Sequence, residues 1–432
     1  VTVAGPAVAF SNALNCAKLV IGDGESACDV TFEPGMTVTA DEFDVSGDIT
    51  EKNVILRSSG EGAWNLVVCG ATVSGATVSG SDASGGVMIF PSDCDDGGGN
   101  VDWAFTDPRL SFTGAQSTDF GFYGNWQGGI APGASSDVLV AGTVSAVVTN
   151  ATAVRNVTVG DGATPVINAA FAVGGSLVVE NGGTVEWNVP GTISNNLSVL
   201  SGGILTHAAN TTGELYKVDL AIGGNGFVAA GGKINARGKG YARGEGPGHG
   251  DLDGSSHGGR GSKGLYACVG SYLFPTNIGS GAATAGSATH DSQTGGGAVK
   301  LIFTGSFDMN GTLDVSGSAY TAEQFTYYSG AGGSILVRTA KLTGTGTFLA
   351  NGGEAKYGWN GGGGRMAFHL TGAGATGADF AGAVECRGGY SLSGGTISGA
   401  PGTVYFGTAA DGIGGGVVTI ANKANFIHDH ES

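Results

Sequence analysis

The chain has 432 residues, of which 85 are Gly, 41% are apolar and only 13% are charged, with a net charge of −17. The apolar share excludes both collagen and a disordered low-complexity tract. The acidic balance speaks against nucleic acid and anionic membranes as partners, since both need Lys and Arg to neutralise phosphate, and no apolar run reaches the ~20 residues of a membrane span.

In chain order, residues 1–106 read as short strands between Gly and Asp turns: Lys18–Ile21, Asp29–Phe32, Val54–Arg57 and Val87–Phe90. The chain begins in a β-like segment, Val1-Thr2-Val3-Ala4-Gly5, as a mature protein would after removal of a signal. Residues 107–133 break the strand pattern and are dense in aromatic side chains. Phe112, Phe120, Phe122, Tyr123 and Trp126 would fold back over the core, stack sugar rings or meet a second chain, because aromatic groups give large contact area at low entropy cost.

Residues 134–230 hold the most regular repeat. Val157-Thr158-Val159, Leu177-Val178-Val179 and Leu197-Ser198-Val199 are spaced by 20 residues, as are Gly162, Gly182 and Gly202, and Val138-Leu139-Val140 extends the series backwards by 19. Residues 231–432 hold longer repeats of 31 to 38 residues. A pair of small residues precedes an apolar strand at Gly296-Gly297, Gly332-Gly333, Gly363-Gly364 and Pro401-Gly402, and a second strand recurs at Thr312, Thr347 and Ala383. Units of this size cannot bury their own apolar face and must stack on a neighbour. The expected fold is all-β: a right-handed parallel β-solenoid, or β-helix, carrying a Gly-rich loop insertion over residues 238–295 and ending in a polar tail.

Two stretches add a resemblance. Val54-Ile55-Leu56-Arg57-Ser58-Ser59-Gly60, Trp64-Asn65-Leu66, Ser81-Asp82-Ala83-Ser84-Gly85-Gly86, Asp96-Gly97-Gly98-Gly99-Asn100 and Trp103-Ala104-Phe105 follow one order. That order resembles a β-helical segment of large surface or secreted proteins of bacteria. Trp64, Trp103 and Phe105 would then plug its interior. The insertion carries Gly246-Pro247-Gly248-His249-Gly250-Asp251, His257-Gly258-Gly259-Arg260-Gly261, Tyr266, Pro275 and Gly279-Ser280-Gly281. It is similar to glycine-rich β-solenoid regions of very large secreted proteins of bacteria and protists. The resemblance implies architecture and a cell-surface location more than an activity.

The six cysteines, Cys16, Cys28, Cys69, Cys94, Cys268 and Cys386, lack zinc-site spacing. Their separations suit disulfides Cys16–Cys28, Cys69–Cys94 and Cys268–Cys386, one of 15 connectivities, which would place the chain in an oxidising compartment. Buried free thiols are the alternative.

Only the insertion gathers side chains able to carry catalysis. A polysaccharide lyase needs a base for the proton beside a uronate carboxyl and a cation to neutralise that carboxylate. His257 with Arg260, or Tyr266 with Lys263, would fill those roles, while Glu245 with Asp251 or Asp253 would make a glycosidase pair. The competing reading is that these groups satisfy the backbone of an irregular loop. Acidic turns at Asp93, Asp95, Asp96, Asp251 and Asp253 offer oxygen ligands of the kind Ca2+ takes, although they match no calcium-loop motif and also read as surface Asx turns. His428 and His430 resemble a metal pair only in composition. The function expected is an extracellular structural or adhesive surface protein that meets copies of itself or surface glycans. A polysaccharide-degrading enzyme and a non-catalytic glycan-binding module on the same scaffold are the alternatives.

Overall fold

The computed structural model describes residues 1–105, 109–250, 253–283, 293–318, 328–355, 359–391, 399–412 and 414–422. The described residues form β-sheets whose strands pair in parallel except for Val417–Thr419, antiparallel to Thr403–Thr408, with three short 3-10 turns and no α-helix. They divide into two compact units, Val1–Arg109 and Leu110–Ser432.

In the first unit the chain alternates between two five-stranded sheets, so every second strand pairs in parallel. One sheet holds Leu14–Ile21, Thr37–Ser46 and Trp64–Ser74, and the other holds Cys28–Phe32, Val54–Ser58 and Ala76–Ser79. Thr37–Ser46 and Trp64–Ser74, 10 and 11 residues long, were not expected. In Thr37–Ser46 the apolar residues alternate with Thr, Asp and Glu, so no continuous apolar run marks that strand. Val87–Phe90 contributes only a single bridge, Ile89 to Trp103. Trp64 is fully buried and stacks on Phe32 at 4.0 Å, whereas Trp103 and Phe105 are half-buried and stack on each other at 5.9 Å.

In the second unit the chain visits three sheets in rotation. The first sheet aligns Val138, Val157, Leu177 and Leu197 in one inward column, so the 20-residue repeat pairs in register. The second aligns Val185, Leu205, Ile234, Leu313, Phe348 and Val384, all almost fully buried. The third aligns the strands after the small-residue pairs, Ala298–Phe303, Ser334–Thr339, Arg365–Leu370 and Thr403–Thr408. One core runs through all three sheets. Where a column contains glycine, a neighbouring ring fills the gap: Phe303 occupies the space that a Gly226 side chain would need, and Trp187 does so at Gly191.

Corners repeat as well. Gly182 and Gly202 have φ of 75° and 78°, which glycine adopts at little cost. Asparagine side chains bond one repeat to the next: Asn156 Oδ1 accepts from Ser176 N at 2.7 Å, Asn196 Oδ1 from Asn225 N at 2.8 Å, and Asn351 Oδ1 from Arg387 N at 2.8 Å. Such bonds satisfy turn amides that no ladder reaches.

The insertion departs from the expected loop. Asp253, Ser255, Ser256, His257 and Ser280 are fully buried. The segments around them belong to no strand ladder, yet their amides are paired. Gly295, Gly296 and Gly297 donate in turn to Tyr241, Ala331 and Ala236, and Ala331, Gly332 and Gly333 to Ser280, Gly362 and Val315. Strand donors point to two neighbours in one plane. Here three successive donors each reach a different segment, so the backbone is tied to neighbours on several sides. Backbones bonded on all sides leave no room for side chains. A Cβ at Gly333 would overlap the carbonyl of Gly297, and one at Gly296 that of Val315.

Candidate functional site

The outer face of the third sheet carries two neighbouring hollows. Its parallel strands are Thr152–Val154, Phe171–Val173, Gly191–Ile193, Val218–Ile222 and the four named above, and Val417–Thr419 closes its edge. One outward row begins with Ala153, Ala172, Thr192 and Ala221, all small. It continues through Ile302, Arg338 and His369 to Gly407. A parallel outward row runs Asp219, Lys300, Leu336, Ala367, Tyr405. The small residues make a trough of about 670 Å³ over the earlier strands. A second hollow of about 460 Å³ lies over the later ones, and Lys300 lines both. With neighbouring strands ~4.8 Å apart, the eight-strand row spans roughly 30 Å.

A short segment of the insertion forms one wall of the later hollow. Ser271 Oγ accepts from the amides of Leu273 and Phe274 at 3.2 and 3.1 Å and turns the chain. Leu273 packs on Leu336, Ala367 and Tyr405. His369 Nε2 donates to Leu273 O at 2.7 Å, and the Phe274 ring lies parallel to the imidazole at 5.1 Å. Phe274 thus stands fixed on one side while remaining 51% exposed. Lys300 is neutralised by Asp219 at 3.0 Å. Arg338 is exposed and has no ion-pair partner among the described residues. No sequence signal marked this surface, because strand register aligns Arg338 with His369 while Phe274 arrives from a segment of the insertion held by side-chain contacts.

The catalytic candidates do not converge on an open cleft. His257 is fully buried; its Nε2 lies 3.0 Å from Ser334 Oγ, which itself donates to Asn277 O at 2.6 Å. Nδ1 has no partner, and burial, with Arg365 nearby, pushes the imidazole down to about 3. Arg365, also buried, donates to Val269 O at 2.7 Å and Thr403 Oγ1 at 3.1 Å, and desolvation lowers its pKa. Arg260 donates to Gly264 O, Lys263 lies 4.2 Å over the Trp359 ring, and the Tyr266 ring fills the space beside Gly250. Glu245 is half-buried. Asp253 accepts from the amides of Gly254, Lys263 and Leu265, so its carboxylate caps the chain around it. Asp251, His428 and His430 lie outside the described residues.

Asp95 and Asp96 are exposed neighbours on a short strand, where successive side chains point apart, and Asp96 Oδ1 accepts from Gly98 N and Asn100 Nδ2. Asp93 takes a left-handed conformation with φ of 51°. Among the described residues, no three His, Cys, Asp or Glu side chains gather as metal ligands.

Of the aromatic set, Phe112, Phe120 and Trp126 pack edge to face inside the core, with Trp126 Nε1 donating to Phe120 O at 2.7 Å. Phe122 is half-buried and Tyr123 is 59% exposed.

The expected disulfides are absent, and all six cysteines are free thiols. Cys16 and Cys69 sit in one sheet of the first unit, whereas Cys28 and the Cys94 segment belong to the other. Packed sheets stand ~10 Å apart, beyond the reach of a disulfide. Cys94 Sγ instead accepts from Ala76 N at 3.3 Å. Cys386 is buried in the core, its thiol pushed up to about 12 by desolvation, while Cys268 is exposed. The cysteine argument for an oxidising compartment falls with these bonds.

No family model, curated protein or solved structure matches this chain.

Proposed function

We propose that this chain is an extracellular structural or adhesive surface protein, a right-handed parallel β-solenoid that holds an extended glycan along one face. Three sheets visited in rotation with in-register parallel pairing are what a solenoid requires. The right hand follows from the strong preference of parallel crossovers for that sense. The observation that carries the reading is the grooved outer face of the third sheet. Its outward rows run across eight successive strands, so it suits a linear polymer better than a compact ligand. Burial of His257 favours binding over catalysis, since a base without solvent contact cannot reach a substrate.

Native electrophoresis of the full chain through gels containing soluble polysaccharides tests this. Retardation by at least one polymer, relative to a polymer-free gel, is expected. Unchanged mobility in neutral and acidic polymers alike would remove the adhesive role.

A further inference from the structure

We propose that the hollow beside Phe274 is a subsite for an acidic sugar, with the carboxylate of a uronate unit on Arg338 and the sugar ring against Phe274. This rests on the glycan-binding reading above and names the chemical class of the glycan. The chain has 36 Asp and Glu against 19 Lys and Arg. Cations in it are commonly neutralised, as in Lys18 with Glu42, Arg57 with Asp29, Arg237 with Asp314 and Lys300 with Asp219. Arg338 has no acid partner among the described residues, and it lines the later hollow. Its row neighbours are Ile302 and His369, neither of them an acid.

A guanidinium presents a planar fork of donors that a carboxylate meets with two parallel bonds. Phe274 supplies the apolar wall. It is held in place before any ligand arrives by its stack on His369 and by Leu273, so little side-chain entropy is lost on binding. Lys300, paired with Asp219 at the edge of the trough, continues the groove toward the small side chains of Ala153, Ala172 and Thr192. The site therefore offers one strong anion contact with neutral sugar contacts beyond it. Long-range repulsion between a chain of net charge −17 and a polyanion works against non-specific capture, so retention reports a local contact.

The test uses the full chain in native gels containing polygalacturonate or alginate, and polygalacturonate that has been fully methyl-esterified, which keeps the backbone and removes the charge. The acid form of polygalacturonate, alginate or both should retard the chain at least about tenfold more strongly than the ester. Arg338→Ala should remove about tenfold of that affinity, Arg338→Gln a similar amount, and neither should alter retention by the ester. Phe274→Ala should weaken both forms. Both side chains replaced are solvent-facing, and unchanged thermal melts would show the variants folded. Equal retention of acid and ester, or an Arg338→Ala chain that binds the acid polymers as well as the parent, overturns the acidic-sugar proposal and leaves the adhesive reading standing. Retention by neutral polymers alone has the same meaning. Failure of every polymer removes both.

Discussion

Two buried histidines give the folded chain a built-in sensitivity to acid. Burial pushes His207 down to about 4, and its bonds suit only the neutral ring. Nδ1–H donates to Ala208 O, leaving Nε2 bare to accept from the Ala298 amide at 3.3 Å. His257 is lowered further, to about 3. The unfolded chain protonates both near pH 6.5, whereas the folded chain resists. Stability is therefore complete above about pH 6.5 and falls as the pH drops toward 4, by roughly 1.4 kcal/mol per pH unit for each ring. Urea midpoints measured from pH 7 to pH 4.5 should decline accordingly. His207→Gln should lower stability at pH 7 but flatten the decline by about one ring's share; an unaltered slope would assign the acid sensitivity elsewhere. Neither histidine's burial could be read from sequence. His257 sits in a polar, Gly-rich stretch that looks like an exposed loop, and His207 follows Leu205-Thr206 with nothing to mark it as interior.

Strands and turns were far more readable than single side chains. The small-residue pairs and the 20-residue spacing correspond to strands that pair in register, because a stacked coil must repeat its inward residues at one interval. Thr37–Ser46 was hidden by alternation, and Phe307–Met309 by its brevity. The packed glycine segments escaped for a different reason: periodicity arguments follow side chains, and there the backbone itself is the packing surface. Two substitutions separate those cases. Gly333→Ala places a methyl group against a neighbouring carbonyl that cannot give way and should cost at least about 3 kcal/mol. Gly133→Ala, with nothing within 4 Å, should be neutral or stabilise by up to about 1 kcal/mol through the unfolded chain. Equal thermal shifts for the two would contradict the all-round packing described at Gly333.

Taken along its length, the second unit should behave as a row of nearest-neighbour contacts. Removing residues 177–196 takes out one full 20-residue coil and brings Val157 opposite Leu197, with Asn168 where Asn188 had bonded the Ala208 amide. That chain is expected to fold and to melt cooperatively with modestly reduced stability. Removing only residues 177–186 carries later strands off their faces and should abolish the cooperative transition seen by circular dichroism. If both deletions melt alike, the coils are not interchangeable units. Much of this organisation could be read from spacing alone, whereas the groove could not, since register joins residues as far apart as Ala153 and Gly407 and a segment of the insertion supplies Phe274.

The glycine-packed layer also bears on how such a chain can change over generations. Any single substitution at Gly296, Gly332, Gly333 or Gly364 adds at least a Cβ where a neighbouring backbone already lies. Gradual drift is closed to these positions, and no second change nearby can readily compensate, because the obstruction is main chain rather than a replaceable side group. Lineages carrying this layer are left with gain or loss of complete repeats as their main source of novelty, and with the outward rows as the places where new specificity can arise.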